Sequence, residues 1–310
     1  MIREYKNNLF CILIESPFQL LCAYEAVEYF GFKYQLYIRL TDHKADNLQI
    51  KNLAKELGFR DVKYIYIATT NDFMKKFTML KYLMIFKLKK YDYYLLGNYL
   101  SGFVQKFVQY ISKRQTILLD DGVATFQVQR ELQEKSLPLS LFTIFDVESF
   151  ANQHIYKNEF KRLKSKYSVT DKTYDIFIGG QLVDLDLLSL ESYIGAIKTA
   201  ILNSKTNKLI YFPHRRTSTE VINEILLLEN IEIAYPDTTI EYYLLKESVK
   251  PNNIYSIISS ALFSLSILFE DANAIAYKPV FKKNDREKNI EKLYEIFNSE
   301  KNSIKLINLG

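Results

Sequence analysis

Tryptophan is absent from the 310 residues, and glycine (9), proline (6), histidine (3) and cysteine (2) are scarce. Each shortage excludes something. With so little glycine and proline there is no collagen-like repeat and no low-complexity linker. The nine glycines never form Gly-x-Gly-x-x-Gly, which argues against a dinucleotide fold of the usual type. Cys11 and Cys22 supply neither a disulfide framework nor a thiolate metal site, and their apolar neighbours predict buried free thiols of a reducing compartment. His43, His154 and His214 are too scattered for a zinc centre. No apolar run reaches the roughly 18 residues of a membrane span. Arg3 and Lys6 precede only a short apolar run that Glu15 and Pro17 end, so no signal peptide is read. The net charge of +5 is mild; it suits an anionic ligand or lipid surface without calling for nucleic acid.

What is present is a globular composition, 48% hydrophobic and 25% charged, with 24 Tyr and 21 Phe. The length exceeds one ordinary core, so two domains are expected. Short apolar runs alternate with helical periodicity. Strands are predicted at Leu9 to Ile14, Gln35 to Arg39, Val62 to Ile67, Tyr93 to Leu96 and Ile117 to Leu119, with helices at Leu20 to Phe30, Asn47 to Leu57, Phe73 to Lys90 and Phe103 to Ile111. Ser16 reads as an N-cap and Pro17 as a first-turn residue. Residues 131 to 170 carry charges, Pro138 and few apolar runs, and read as a crossover between domains. Alternation resumes with strands at Tyr174 to Ile178, Leu209 to Phe212, Ile231 to Ala234 and Asn253 to Ile258, with helices at Leu187 to Leu202, Thr219 to Leu228, Thr239 to Leu245 and Ala261 to Leu268, and a charged C-terminal helix within Lys282 to Glu300. The predicted class is α/β, GT-B-like: two doubly wound Rossmann-like domains, 1–155 and 156–310, facing a central cleft, with the last helix free to pack back on the first domain.

Chemistry-bearing residues fall just after predicted strands. Asp120-Asp121-Gly122 ends one in the first half, where open α/β sheets place ligands, although an Asp-Asp-Gly turn reads the same way. Pro213-His214-Arg215-Arg216 ends one in the second half and offers cations and a proton donor to a phosphate; a surface loop would use the same residues. Ser259-Ser260 opens a helix, as an N-cap, a phosphate site or both. Glu241 begins a short helix and could meet a ribose hydroxyl. Asp184 and Asp186 have the spacing of a metal motif but read as a helix cap or a cleft wall. The helix Phe73 to Lys90 mixes lysines with aromatics, suiting either a peripheral membrane contact or a solvated sheet-covering helix.

Three of these stretches, in this order, resemble the motifs of bacterial sialyltransferases, in particular glycosyltransferase family 52: Asp120-Asp121-Gly122, Pro213-His214-Arg215 and Ser259-Ser260. Glu15-Ser16-Pro17-Phe18-Gln19-Leu20 and Ile178-Gly179-Gly180-Gln181 are similar to that family too. The chain departs from it where Arg215, not proline, follows His214. The resemblance implies an inverting, metal-independent transfer of sialic acid from CMP-sialic acid to a galactoside of a bacterial surface glycan, with no further cofactor. Asp120 would be the base, supported by Asp121 and Gly122. His214 would meet the leaving phosphate, Arg215, Ser259, Ser260 and Glu241 would hold the nucleotide, and Ser16, Pro17, Gln19 and Asn98 would lie on the acceptor side. The expected partners are a nucleotide-sugar donor and a glycan acceptor, in the cytoplasm or on the inner membrane face, with the oligomeric state left open. A uridine nucleotide donor on the same fold, or a non-catalytic partner in glycan assembly, are the alternatives.

Overall fold

The computed structural model describes residues 5–42, 44–66, 72–111, 115–167, 172–206, 208–282, 287–298 and 304–309. Ile67 of the third predicted strand and residues 283–286 and 299–300 of the Lys282 to Glu300 segment lie outside them. The chain forms two units: Met1–Leu163 with Asp237–Thr239, and Lys164–Pro236 with Ile240–Gly310.

The first unit runs β1 (Leu9–Ile14), α1 (Pro17–Phe30), β2 (Lys33–Leu40), α2 (Lys44–Glu56), β3 (Lys63–Tyr66), α3 (Asp72–Leu88), β4 (Tyr93–Leu96), α4 (Gly102–Tyr110), β5 (Thr116–Leu119), α5 (Ala124–Glu134), β6 (Ser140–Thr143) and β7 (Ile155–Lys157), with α6 (Lys161–Lys166) beginning after it. Its seven strands pair in the order β3-β2-β1-β4-β5-β6-β7, all parallel. Helices cover such sheets on both faces, so central strands are apolar throughout and do not alternate. Phe10 to Ile14 are fully buried, as is all of β5 and β6. Burial of each large apolar side chain contributes roughly 1.5–3 kcal/mol. Ser16 and Gln19 form a capping box at the start of α1, Pro17 occupies its first turn, and Gly31 closes it at φ 66°.

Residues 131 to 170 are not a bare crossover. They hold the end of α5, β6, β7 and α6, and the first unit extends to Leu163. The apolar signal is weak there because buried amides do part of the work. Gln153 donates to Gln129 Oε1 (3.0 Å) and to the Leu139 carbonyl (2.7 Å). Glu25 of α1 accepts the amides of Arg162 and Leu163 (2.9 and 2.8 Å), which fastens α6 to the first helix.

The second unit runs β8 (Lys172–Ile178), α7 (Leu190–Asn203), β9 (Leu209–Phe212), α8 (Thr219–Leu226), β10 (Ile231–Ile233), α9 (Ile240–Lys246), β11 (Val249–Ser256), α10 (Ala261–Leu268), β12 (Asn273–Lys278), α11 (Glu287–Phe297) and β13 (Ile304–Asn308). Its sheet, again parallel, has the order β10-β9-β8-β11-β12-β13. The C-terminal helix α11 belongs to this unit and leads into its last strand. The register between β8 and β11 slips between Pro251 and Ile254. At that slip the buried Asp175 accepts both the backbone and side-chain amides of Asn253 (3.0 Å each), with Ser204 Oγ (2.7 Å) and the Lys205 amide (2.8 Å) on its other oxygen.

Candidate active site

In each sheet the strand order reverses once, between β1 and β4 in the first and between β8 and β11 in the second. The carboxyl ends of strands at such a reversal splay apart and leave the crevice where open α/β sheets bind ligands. Both crevices carry the residues singled out in the sequence.

In the first unit the crevice is lined from four strand ends. Gln19, buried in the first turn of α1, accepts the amides of Glu15 (2.8 Å) and Ser16 (3.3 Å) on Oε1. That fixes which way its carboxamide faces, and Nε2 donates to Asp121 Oδ1 at 2.7 Å. Gly97, at the end of β4, makes room: a Cβ there would lie 2.2 Å from Gln19 Oε1. Beside it, Asn98 sits in the left-handed region at φ 47°, which asparagine tolerates well, and donates to Glu15 Oε2 (2.7 Å). Arg39 at the end of β2 pairs with the same Glu15 oxygen. Among the described residues, Glu15 Oε1 and Arg39 Nε have no hydrogen-bond partner, and both are buried. Arg39 does not stand out as a site residue in the sequence, since it ends a strand-like run as any surface charge might, and Glu15 enters there only as the first residue of the Glu15 to Leu20 stretch, with no role of its own.

The two adjacent carboxylates have different fates. Asp120 is 1% exposed. Thr125 Oγ1 donates to its Oδ1 (3.0 Å) and the Ile144 amide to its Oδ2 (2.7 Å), so it ties β5 to the end of β6 and the start of α5. Burial pushes its pKa up to about 7, against the pull of hydrogen bonds from Thr143, Ile144 and Thr125. Asp121 is partly exposed, and among the described residues its carboxylate takes one side-chain hydrogen bond, from Gln19. Its pKa is also raised by burial, with Gln19 acting the other way. Gly122 completes the turn at φ 62°, a conformation that favours glycine. Of the other acceptor-side residues, Ser16 is engaged as the α1 cap and Pro17 is buried in its first turn.

In the second unit, β8 ends at Gly179-Gly180. A Cβ on Gly179 would meet the Tyr211 hydroxyl at 2.3 Å; that hydroxyl bonds to Tyr193 (2.9 Å), which in turn accepts the Gly180 amide (3.1 Å). The loop after β9 carries His214, half-buried, and Arg215, exposed. The Arg216 amide donates to His214 Nδ1 at 3.2 Å, which leaves the proton of a neutral imidazole on Nε2. After β11, Ser256 Oγ donates to the Ile178 carbonyl (2.8 Å) and Tyr294 holds the Ile257 carbonyl (3.0 Å), so both flanks of the loop are fixed. Ser259 Oγ then accepts the Ala261 amide (3.2 Å), while Ser260 makes no side-chain cap bond to α10. Glu241 is buried and accepts from Ser264 of α10 (2.5 Å).

Asp184 and Asp186 do not cap the helix after them: α7 begins at Leu190 with Ser189 as its cap. Asp184 accepts the Ser218 amide (3.2 Å) and Asp186 pairs with Lys282 (2.5 Å). Among the described residues no three His, Cys, Asp or Glu side chains cluster as a metal site.

The fold so defined is α/β and GT-B-like. Solved structures similar to the chain include S. aureus MnaA with UDP (TM-score 0.62, 11% identity, 95% of this chain and 89% of that one). The Methanocaldococcus jannaschii UDP-GlcNAc 2-epimerase in complex with UDP-GlcNAc and UDP is likewise similar (0.60, 13%, 97% and 89%), as is the Neisseria meningitidis enzyme bound to UDP-GlcNAc (0.60, 9%, 97% and 87%). At these identities the likeness is one of fold. No protein-family model matches the chain, and no curated protein does.

Proposed function

We propose that the chain is an inverting glycosyltransferase in which Asp121, not Asp120, is the base toward the acceptor hydroxyl. The observation that carries this reading is the contrast within the pair. Asp120 has both oxygens committed inside the core, whereas Asp121 sits at the crevice with its orientation set by Gln19. Burial raises both pKa values, so what separates the two carboxylates is access to the crevice, which Asp121 has and Asp120 lacks.

The second unit supplies the donor side. His214 Nε2 would donate to a departing phosphate oxygen, and Arg215 would add charge. The hydroxyls of Ser259 and Ser260 and the amides at the start of α10 offer further donors. Glu241, anchored by Ser264, would lie on the ribose side of the nucleotide. A monophosphate leaving group can be stabilised by such donors with no metal ion. On the motif resemblance the donor is CMP-sialic acid and the acceptor a galactoside of a surface glycan.

One observation favours a second donor. The structural neighbours named above were solved with UDP or UDP-GlcNAc, on a fold this chain shares. A uridine nucleotide sugar is therefore the alternative, with the same base. Nucleotide release with each donor, measured for the native chain, Asp120→Asn and Asp121→Asn, tests the assignment. The reading requires that Asp121→Asn alone remove turnover.

A further inference from the structure

Helix α3 presents two apolar faces. Met79 and Phe86 are 7% and 0% exposed and join the core of the first unit, with Tyr82 and Leu83 packed against it. On the other side Phe77, Leu80, Met84 and Leu88 are 60, 57, 57 and 77% exposed. At 100° per residue these four fall within an arc of about 80°, so they make one continuous stripe. Exposed Lys81 flanks it on one side, and exposed Lys76 and Lys87 on the other. A helix that only covered a sheet would turn a polar face outward. An apolar stripe bordered on both sides by amines is instead the pattern of a helix that lies in a bilayer interface, apolar groups inward and lysines at the headgroups.

We propose that α3 docks the first unit onto an anionic lipid surface. Charge complementarity selects this occupant: from Asp72 to Lys90 the sequence has one acid, Asp72 itself, and six lysines. No helix among the described residues is long and apolar enough to cross a membrane, so the contact is with the surface. Because α3 lies between parallel strands β3 and β4, its first turn starts at the carboxyl edge of the sheet, the edge that carries Asp121.

The test is co-sedimentation of the full chain with vesicles of phosphatidylcholine alone or with about a third phosphatidylglycerol, at low and high salt. Each lysine close to an anionic surface is worth about five-fold in partitioning, so Lys76→Gln/Lys81→Gln/Lys87→Gln should weaken binding roughly 100-fold. Replacing Phe77, Leu80, Met84 and Leu88 together by serine should abolish it. The altered side chains are exposed, so both variants should keep the native melting temperature, and the lysine set gives an independent reading if the serine set does not fold. Equal binding to neutral and anionic vesicles would overturn the proposal. So would native binding by both variants, or a dimer in vesicle-free solution that the serine set disrupts while no vesicle binding is seen.

Discussion

Gln19 Nε2 donates to Asp121 Oδ1 at 2.7 Å, across 102 residues of sequence. The carboxamide cannot flip without losing the Glu15 and Ser16 amides on Oε1, so the bond has a fixed polarity. It stabilises the ionised form of Asp121 and opposes the effect of burial.

Removing that donor should therefore raise the Asp121 pKa further. A base works when deprotonated, so activity falls as pH drops through its pKa. Gln19→Leu should move the acid limb of the kcat/KM profile to higher pH. Gly97→Ala, which would press a methyl into Gln19 Oε1, should do the same. A loss of activity with no shift of the acid limb would make Gln19 a packing residue only.

Asp120 gives a stability signature of opposite kind. Its folded-state pKa is raised from 3.8 to about 7, so the folded protein favours the protonated form. The associated stability is complete below pH 3.8 and is lost as pH rises through about 7. Urea midpoints measured across that window should fall with rising pH in the native chain, and Asp120→Asn should flatten this component. The same variant should keep most of the activity, whereas Asp121→Asn should lose about 100-fold or more.

Asp175 holds the slip between β8 and β11. Asp175→Ala would strand the buried Asn253 amide together with donors from Ser204 and Lys205. At about 1–3 kcal/mol for each unsatisfied group, a loss of at least 3 kcal/mol is expected in denaturant unfolding. A smaller loss would mean that water replaces the carboxylate.

Gly179→Ala probes the donor side without touching a charged group. Its methyl would fall 2.3 Å from the Tyr211 hydroxyl and 3.1 Å from the Phe212 carbonyl oxygen. Overpacking of this kind costs about 1–3 kcal/mol. It should also displace the Tyr193 hydroxyl from the Gly180 amide, so nucleotide affinity measured by calorimetry should fall together with the melting temperature.

Where local chemistry decides the structure, the sequence was a good guide. Buried parallel strands such as Leu9–Ile14 are apolar at every position, and the Ser16–Pro17 start of α1 has its own signature. Strands β6 and β7 escaped because they are short and β6 holds polar residues, Ser140 and Thr143, the latter hydrogen-bonded to the distant Asp120; β12 and β13 were missed as well. The site was legible as strand-end motifs but not as roles. Asp120 and Asp121 look alike in sequence; only Thr125 and the Ile144 amide, five and twenty-four residues on, commit the first to the core. Arg39 gave no signal, and Glu15 only its place in the Glu15 to Leu20 stretch, because their pairing depends on β1 and β2 ending side by side.

The most direct test is product analysis with CMP-sialic acid and a galactoside acceptor, run beside a panel of UDP-sugars, with and without EDTA. The account requires CMP release and a sialylated product of inverted anomeric configuration, unaffected by EDTA and lost in Asp121→Asn. UDP release from a UDP-hexose, with CMP-sialic acid untouched, would transfer the site to the second donor. Full turnover by Asp121→Asn, an epimerised nucleotide sugar as the product, or no nucleotide release from any donor would contradict the central claim.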